Sequence, residues 1–285
     1  MPELPEIEVV RRSLGPILLG RGLGVVRVGP HDMRARGSGR GDGTRSRGRR
    51  AWLGAHELLD GATVVDLVRR GKRLGIVAED GRALVVQLGM SGQLVAGGTD
   101  DRHVHVEWSV RDGRGRVLRF RDPRRFGGLT PYASRDRMLR AWDEELGPDG
   151  LGVSAGKLAE ALRGSRAVKA ALLDQRAVAG VGNIYADESL HAAGVDPRRR
   201  CATLRTEDIA RLAASIRSIL RRAVRSGGST LRDHRAADGA EGHAQDLHAV
   251  YGRGGLPCFA CGTPVRSVRL GGRSTHWCPA CQRRS

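Results

Sequence analysis

Two groups of residues in this 285-residue chain have types and spacing suited to chemistry, one at each end. At the start, Met1-Pro2-Glu3-Leu4-Pro5-Glu6 puts a proline second, and a small second residue favours removal of the initiator methionine. Pro2 would then end the chain as a secondary amine, one peptide bond from the Glu3 carboxylate. An α-amino group titrates near pH ~7.7 to 8, so a useful fraction is unprotonated at neutral pH. Such an amine can attack a sugar aldehyde carbon to give an iminium, by the logic of lysine Schiff bases, while Glu3 moves the protons. The same residues also suit a structural role, with two prolines stiffening a chain end and Glu3 and Glu6 favouring the start of a helix. At the other end, Cys258-x2-Cys261 and Cys278-x2-Cys281 are separated by sixteen residues. Two such knuckles match structural tetrahedral zinc and do not suggest a disulfide framework. Four thiolates leave no coordination position open, so one zinc ion is expected as a staple of the fold with no part in catalysis. Cys201 stands apart and reads as structural or incidental.

The rest of the chain has to position these groups. Its length allows two domains with their own cores plus a small appendage, and 40% hydrophobic residues suffice to pack them. A net charge of +18 and a pI near 11.2 favour polyanions, with salt-sensitive binding to phosphate backbones. General use of arginine on the surface accounts for part of that charge, so charge points to nucleic acid without naming a reaction. There is no run of about 18 apolar residues, and acidic residues stand where a signal peptide would be basic. The expectation is a soluble, cytoplasmic protein.

From Pro5 to about Leu19, the residues Ile7, Val10, Leu14, Ile17 and Leu18 recur at helical spacing, with Glu6 in the first turn. Short β-like runs follow at 23–28, 62–68, 74–78, 83–88, 104–108 and 117–120, the pattern of an antiparallel sandwich or barrel. Residues 33–50 are rich in Gly, Ser and Arg and read as a basic, mobile loop. By spacing alone Lys72 is a surface lysine in a basic run, opening a strand after a glycine. His103 and His105 alternate with Val104 and Val106, which predicts two exposed imidazoles on the face opposite the valines. No further ligand follows at a spacing that would make them a metal site. Gly147-Pro148-Asp149-Gly150 marks a joint, and residues 134–152 read as an interdomain linker.

Beyond the joint, three short helical segments end near Gly194, and a longer helix carries Ile209, Leu212, Ile216, Ile219, Leu220 and Val224 on one face, with Arg211, Arg217, Arg221 and Arg222 on the other. Gly180-Val181-Gly182-Asn183 lies between two of the helices, where glycines would let backbone N–H groups approach a phosphate. Residues 227–248 form a long polar segment of the kind that is functional or disordered. Between the cysteine pairs, Arg273-Ser274-Thr275 falls on an expected β-hairpin.

Several of these stretches together resemble formamidopyrimidine-DNA glycosylases. The opening hexapeptide does so nearly residue for residue, followed in the family's order by Gln87-Leu88-Gly89-Met90-Ser91-Gly92, Asp122-Pro123-Arg124-Arg125-Phe126-Gly127, Gly180-Val181-Gly182-Asn183-Ile184-Tyr185 and the cysteine-rich tail. The resemblance implies an α+β protein. An N-terminal helix and antiparallel β-sandwich (1–133) would lead through the linker to a helix-two-turns-helix domain (153–248, with a lesion-recognition loop at 227–248) and a zinc-finger hairpin (249–285). It further implies Pro2 as nucleophile, Glu3 and Lys72 as proton carriers, Glu6 as support for the site and Arg273 as an aid to the second elimination. His103 is implied as a DNA-backbone contact, Met90 and Phe126 as wedges, Arg124 as partner of the orphaned base, and Lys169 with Asn183 as a phosphate clamp. The physical need for a wedge is independent of the resemblance, because chemistry on a base requires its extrusion and the hole left behind must be filled. Gly242-His243-Ala244-Gln245 departs from the aromatic residues usual at its middle positions, which bears on lesion recognition.

The implied function is base-excision repair: a DNA glycosylase and abasic-site lyase acting as a monomer on oxidised purines, such as 8-oxoguanine and formamidopyrimidines, in duplex DNA. It needs no organic cofactor and no membrane. The alternatives are an oxidised-pyrimidine glycosylase of the endonuclease VIII type, a catalytically silent DNA-binding paralogue and an RNA-binding zinc-ribbon module.

Overall fold

Alternating apolar residues in the first half of the chain fold as two four-stranded antiparallel sheets. The computed structural model describes residues 2–31, 33, 53–98, 101–229 and 236–283. The expected loop over 33–50 therefore lies, Met33 apart, outside the described residues, as does Met1. The first helix is α1 (Leu4–Leu18), where Pro5 sits in the opening turn and costs no helical hydrogen bond. The strands are β1 (Gly22–Val28), β2 (Val64–Arg70), β3 (Arg73–Ala78), β4 (Ala83–Gln87), β5 (Gln93–Ala96), β6 (Val104–Arg111), β7 (Val117–Arg121) and β8 (Gly128–Tyr132). One sheet has the order β1-β6-β7-β5 and the other β2-β3-β4-β8. A single core joins Leu23, Leu94, Trp108 and Phe120 of the first sheet, Leu67, Leu74, Ile76, Leu84 and Leu129 of the second, and Ile7, Val10 and Leu14 of α1. The expected sandwich is the observed one.

Two expectations about this unit need correction. The segment assigned to a linker contains α2 (Arg135–Glu145), whose Met138 and Trp142 are buried. At Gly75 of β3 a Cβ would come within 2.8 Å of the Met138 sulfur. That close cover explains why Val77, Ala83 and Val85 are buried as well as the core-facing residues. His105 is also buried, at 3% exposure, because a register irregularity between Val104 and Val106 breaks the alternation that would have exposed it.

The chain divides into two compact units, the first comprising residues 1–2, 6–145 and 229–242. Ser229 and residues 236–242 of the long polar segment therefore group with the sandwich, where the sequence reading assigns the segment to the helical domain. Within this unit Ala96 N–H donates to Ala237 O (2.8 Å), Ala237 N–H to Ser13 Oγ (3.0 Å) and Ser229 N–H to Glu6 Oε1 (2.8 Å).

The second unit comprises residues 3–5, 146–228 and 243–285. Its helices are α3 (Ala155–Ala161), α4 (Val168–Leu172), α5 (Asn183–Ala193) and α6 (Thr206–Arg225). Leu212, Ile216 and Leu220 of α6 share a core with Leu158, Leu172, Tyr185, Leu190 and Leu4. On the other face of α6, Arg217 and Arg221 donate to the carbonyls of Val153 and Leu151 at 2.6 and 3.1 Å. The tail adds the hairpin β9 (Arg266–Leu270) and β10 (Arg273–Trp277). No helix among the described residues is long and apolar enough to cross a membrane.

Candidate active site and nucleic-acid interface

In the second unit the glycine-rich turn before α5 is built around Glu3. Leu4 N–H donates to Gly180 O at 3.1 Å, with Gly180 at a positive φ of 103°. Gln175 braces the turn, accepting from Gly180 N–H and donating to Val181 O, each at 2.9 Å. Gly182 has to be glycine, since a Cβ there would fall 2.4–2.7 Å from the Glu3 carboxyl group. The carboxylate is 1% exposed and accepts from Gly182 N–H (2.6 Å) and Ile184 N–H (2.9 Å), at the positive end of α5. The sequence reading offers these donors to a phosphate; in the structure they hold Glu3. Pro2, one residue earlier, is buried.

Lys169 differs from its expected role. It is 1% exposed, and its ammonium meets Asp187 Oδ1 (2.7 Å), Ser274 O (2.6 Å) and Thr275 Oγ1 (2.9 Å). Three donors on three acceptors leave none for a phosphate oxygen in this arrangement. Burial pushes its pKa below the usual lysine value, against the opposing pull of Asp187 and Glu3. What Lys169 does hold is the β10 hairpin. Asn183 Nδ2 reaches Ser274 Oγ of the same hairpin at 3.2 Å, and Arg273 is exposed at its start. Asp187 Oδ2 also accepts from His276 N–H at 2.9 Å, and Glu188 accepts from the N–H groups of Ala249, Val250 and Tyr251 at 2.8–2.9 Å. Sequence reasoning missed both acids. The available signal was two adjacent carboxylates inside a helix whose apolar residues, Ile184, Tyr185, Ala186, Leu190 and Ala193, are not confined to one face.

The four cysteine sulfurs all lie within 4.8 Å of one another, with separations of 3.4, 3.4 and 3.9 Å among them. Four ligands about 2.3 Å from a tetrahedral ion stand roughly 3.8 Å apart, so the donor set fits one zinc ion. This is a structural zinc site.

In the first unit Lys72 is half-buried in the two-residue turn between β2 and β3, after Gly71 at φ 57°. Arg69 Nη1 donates to Gly71 O (3.0 Å), while its Nε donates to Glu8 (3.0 Å). Glu8 also accepts from Arg11 and Arg12. Burial raises the Glu8 pKa, but the guanidinium hydrogen bonds outweigh it and hold the carboxyl at about 2. Met90, Arg124 and Phe126 are exposed on neighbouring turns of the sandwich. Arg124 stacks over the Phe126 ring at 4.7 Å. His103 lies just before β6, half-buried, with its N–H on Asp101 Oδ1 at 2.8 Å.

The sequence matches the formamidopyrimidine-DNA glycosylase N-terminal domain over residues 1–129, that family's H2TH domain over 146–235, and the zinc finger found in FPG and IleRS over 255–284. The chain belongs to the formamidopyrimidine-DNA glycosylase family. It is 42% identical to the formamidopyrimidine-DNA glycosylase of Xanthomonas campestris pv. campestris strain B100, over 99% of this chain and 100% of that protein. Identity to the Laribacter hongkongensis enzyme is 43%, with the same coverage. Among solved structures, the MutM (Fpg) protein of Thermus thermophilus superposes with a TM-score of 0.82 at 40% identity, covering 99% of this chain and 98% of that one. A Lactococcus lactis Fpg complexed with abasic-site DNA gives 0.83 at 31% identity, covering 99% of each. As a member of this family, the chain is a DNA-repair glycosylase with a zinc finger.

Proposed function

We propose that this glycosylase removes oxidised purines from duplex DNA, through a covalent intermediate on Pro2, and then cleaves the abasic strand by β- and δ-elimination. The observation that carries the reading is the Glu3 carboxylate, fixed by the N–H groups of Gly182 and Ile184 and one peptide bond from Pro2. With Met1 removed, the proline nitrogen forms a bond to C1′ as the base departs with the glycosidic electron pair. The amine's own proton passes to Glu3 and from there to the ring oxygen O4′, which leaves C1′ as the iminium forms. That iminium acidifies the 2′ hydrogen. Its loss expels the 3′ phosphate, a second elimination expels the 5′ phosphate, and hydrolysis releases the enzyme. Lys72 supplies a proton in the first elimination, and Arg273 aids the second from the exposed start of β10.

Recognition rests on the other residues. Met90 and Phe126 fill the space vacated by the extruded nucleotide, and Arg124 hydrogen-bonds the orphaned base. His103 and Asn183 contact the DNA backbone. Lys169 acts by positioning the hairpin that carries Arg273, with its ammonium committed to Asp187, Ser274 and Thr275. Glu6 supports the site by holding Ser229. The protein acts as a monomer in the bacterial cytoplasm. The relatives point the same way, since one Lactococcus lactis Fpg structure holds DNA containing Fapy-dG.

The test is borohydride trapping on a duplex containing 8-oxoguanine opposite cytosine, with the crosslinked peptide mapped. The adduct is expected on Pro2. Glu3→Gln should slow base release by about 10²- to 10⁴-fold while leaving DNA binding largely intact. Trapping at another residue, or full-rate cleavage by protein that retains Met1, would overturn the reading.

A further inference from the structure

Met90 and Phe126 are 40% and 56% exposed, yet the turns beneath them are tightly determined. Asp122 is 0% exposed and its carboxylate ties the two turns together. Its Oδ1 accepts from Ser91 Oγ–H at 2.5 Å and from Arg124 N–H at 3.2 Å, and its Oδ2 accepts from Gly127 N–H at 2.7 Å. Ser91, itself 6% exposed, is the residue after Met90, and its oxygen also lies 3.3 Å from Arg124 N. The backbones interlock as well. Gly89 has a φ of 62°, and a Cβ there would stand 2.4–2.5 Å from the backbone of Phe126 and Gly127. Arg125 is held in the left-handed region at φ 55°, a conformation that costs a non-glycine residue energy and persists only where its surroundings fix it. The carbonyl of Asp122 is pinned in turn by the buried His105 ring at 2.9 Å.

We infer that Ser91 and Asp122 are positioning residues that couple the two turns, so that Met90, Arg124 and Phe126 enter the duplex as one preassembled wedge. The inference rests on the wedge reading given above. A flexible pair of turns would have to order both at the moment of base extrusion, and that ordering entropy would slow the step. The Ser91–Asp122 hydrogen bond removes that requirement before DNA is met.

The discriminating variant is Ser91→Ala, which deletes one hydroxyl group and adds no bulk. Four measurements accompany it. They are single-turnover base release from an 8-oxoguanine·cytosine duplex, fluorescence of 2-aminopurine beside the lesion as a report of unstacking, borohydride trapping on a single-stranded abasic oligonucleotide, and rescue by Ser91→Thr.

Base release and the unstacking rate should both fall about ten-fold, the size of effect produced by one lost buried hydrogen bond. Trapping on the single strand should be unchanged, because no base is left to extrude. Ser91→Thr should recover most of the loss. Phe126→Ala should cost less in the Ser91→Ala background than in the parent, because the wedge is already loosened. Parent-like release by Ser91→Ala, with Phe126→Ala still slow, would overturn the coupling and leave the wedge reading standing. Parent-like release by both Met90→Ala and Phe126→Ala would remove the wedge reading itself. An equal loss of single-strand trapping in Ser91→Ala would mean general damage to the fold and would also overturn the coupling.

Discussion

In the first unit Met90 and Phe126 stand exposed on turns braced from below, whereas in the second Glu3, Lys169 and Asp187 are 1%, 1% and 0% exposed and surrounded by hydrogen-bond partners. On the function proposed above, the contrast follows from what each set of side chains must do. An apolar wedge keeps its shape in water, and a singly exposed hydrophobe costs a fold little. A charged group taken out of water persists only when its partners are fixed around it. The two regions should therefore fail in different ways, the first by losing activity with the fold intact and the second by losing both.

The sharpest way to break that comparison is to remove the zinc. Chelation should unfold the tail, since structural zinc binding contributes roughly 10 kcal/mol or more in isolated fingers. The damage should spread beyond the tail, because Ser274 and Thr275 are two of the three acceptors of Lys169. Trapping on lesion duplex should disappear in step with zinc content, and readdition of zinc should restore it. Metal-free protein that still trapped DNA at the parent rate would show that the buried network stands without the hairpin.

A smaller effect is expected from a matched pair of substitutions. Lys169→Met leaves Asp187 as an uncompensated buried charge, and such breaks cost roughly 3–5 kcal/mol. Phe126→Ala removes an exposed ring and should move the urea midpoint by no more than about 0.5 kcal/mol equivalent, while slowing base release. Equal losses of stability in the two variants would erase the distinction between the regions.

How much of this is legible in the sequence differs along the same line. The turns that carry Met90 and Phe126, the cysteine knuckles and the amphipathic α6 all announce themselves locally, by turn glycines, ligand spacing or helical period. β8 does not, because Pro131 argues against a strand, and it is tolerated only because β8 is a sheet edge. α2 reads as a linker because only Met138 and Trp142, one turn apart, face inward among charged residues. Lys169 is expected in a phosphate clamp, and nothing in the local sequence singles out Asp187 or Glu188. Lys169 and Asp187 pair with each other, and their remaining partners and those of Glu188 lie 61 to 106 residues further along the chain, which no local pattern encodes.

The finest test concerns Glu8, one of the buried carboxylates of the first unit. Glu8 is held at about 2, below the ordinary 4.5, by Arg11, Arg12 and Arg69 acting against the effect of burial. A carboxyl group whose folded pKa is depressed stabilises the protein fully above its unfolded pKa and loses that contribution as pH falls towards the folded value. The window for Glu8 is therefore about pH 5 down to pH 2. Asp208 of the second unit, also held at about 2, with Arg199, Arg205 and Arg211 outweighing burial, loses its contribution over nearly the same window. Glu8→Gln cannot ionise, so the stability difference between parent and variant should be largest at about pH 6 and shrink steadily towards about pH 2.5 in urea titrations. A difference that stayed constant across that range would mean that the arginine cluster around Glu8 does not depend on its charge. The first unit's buried ion cluster would then be a packing feature, unlike the network around Lys169.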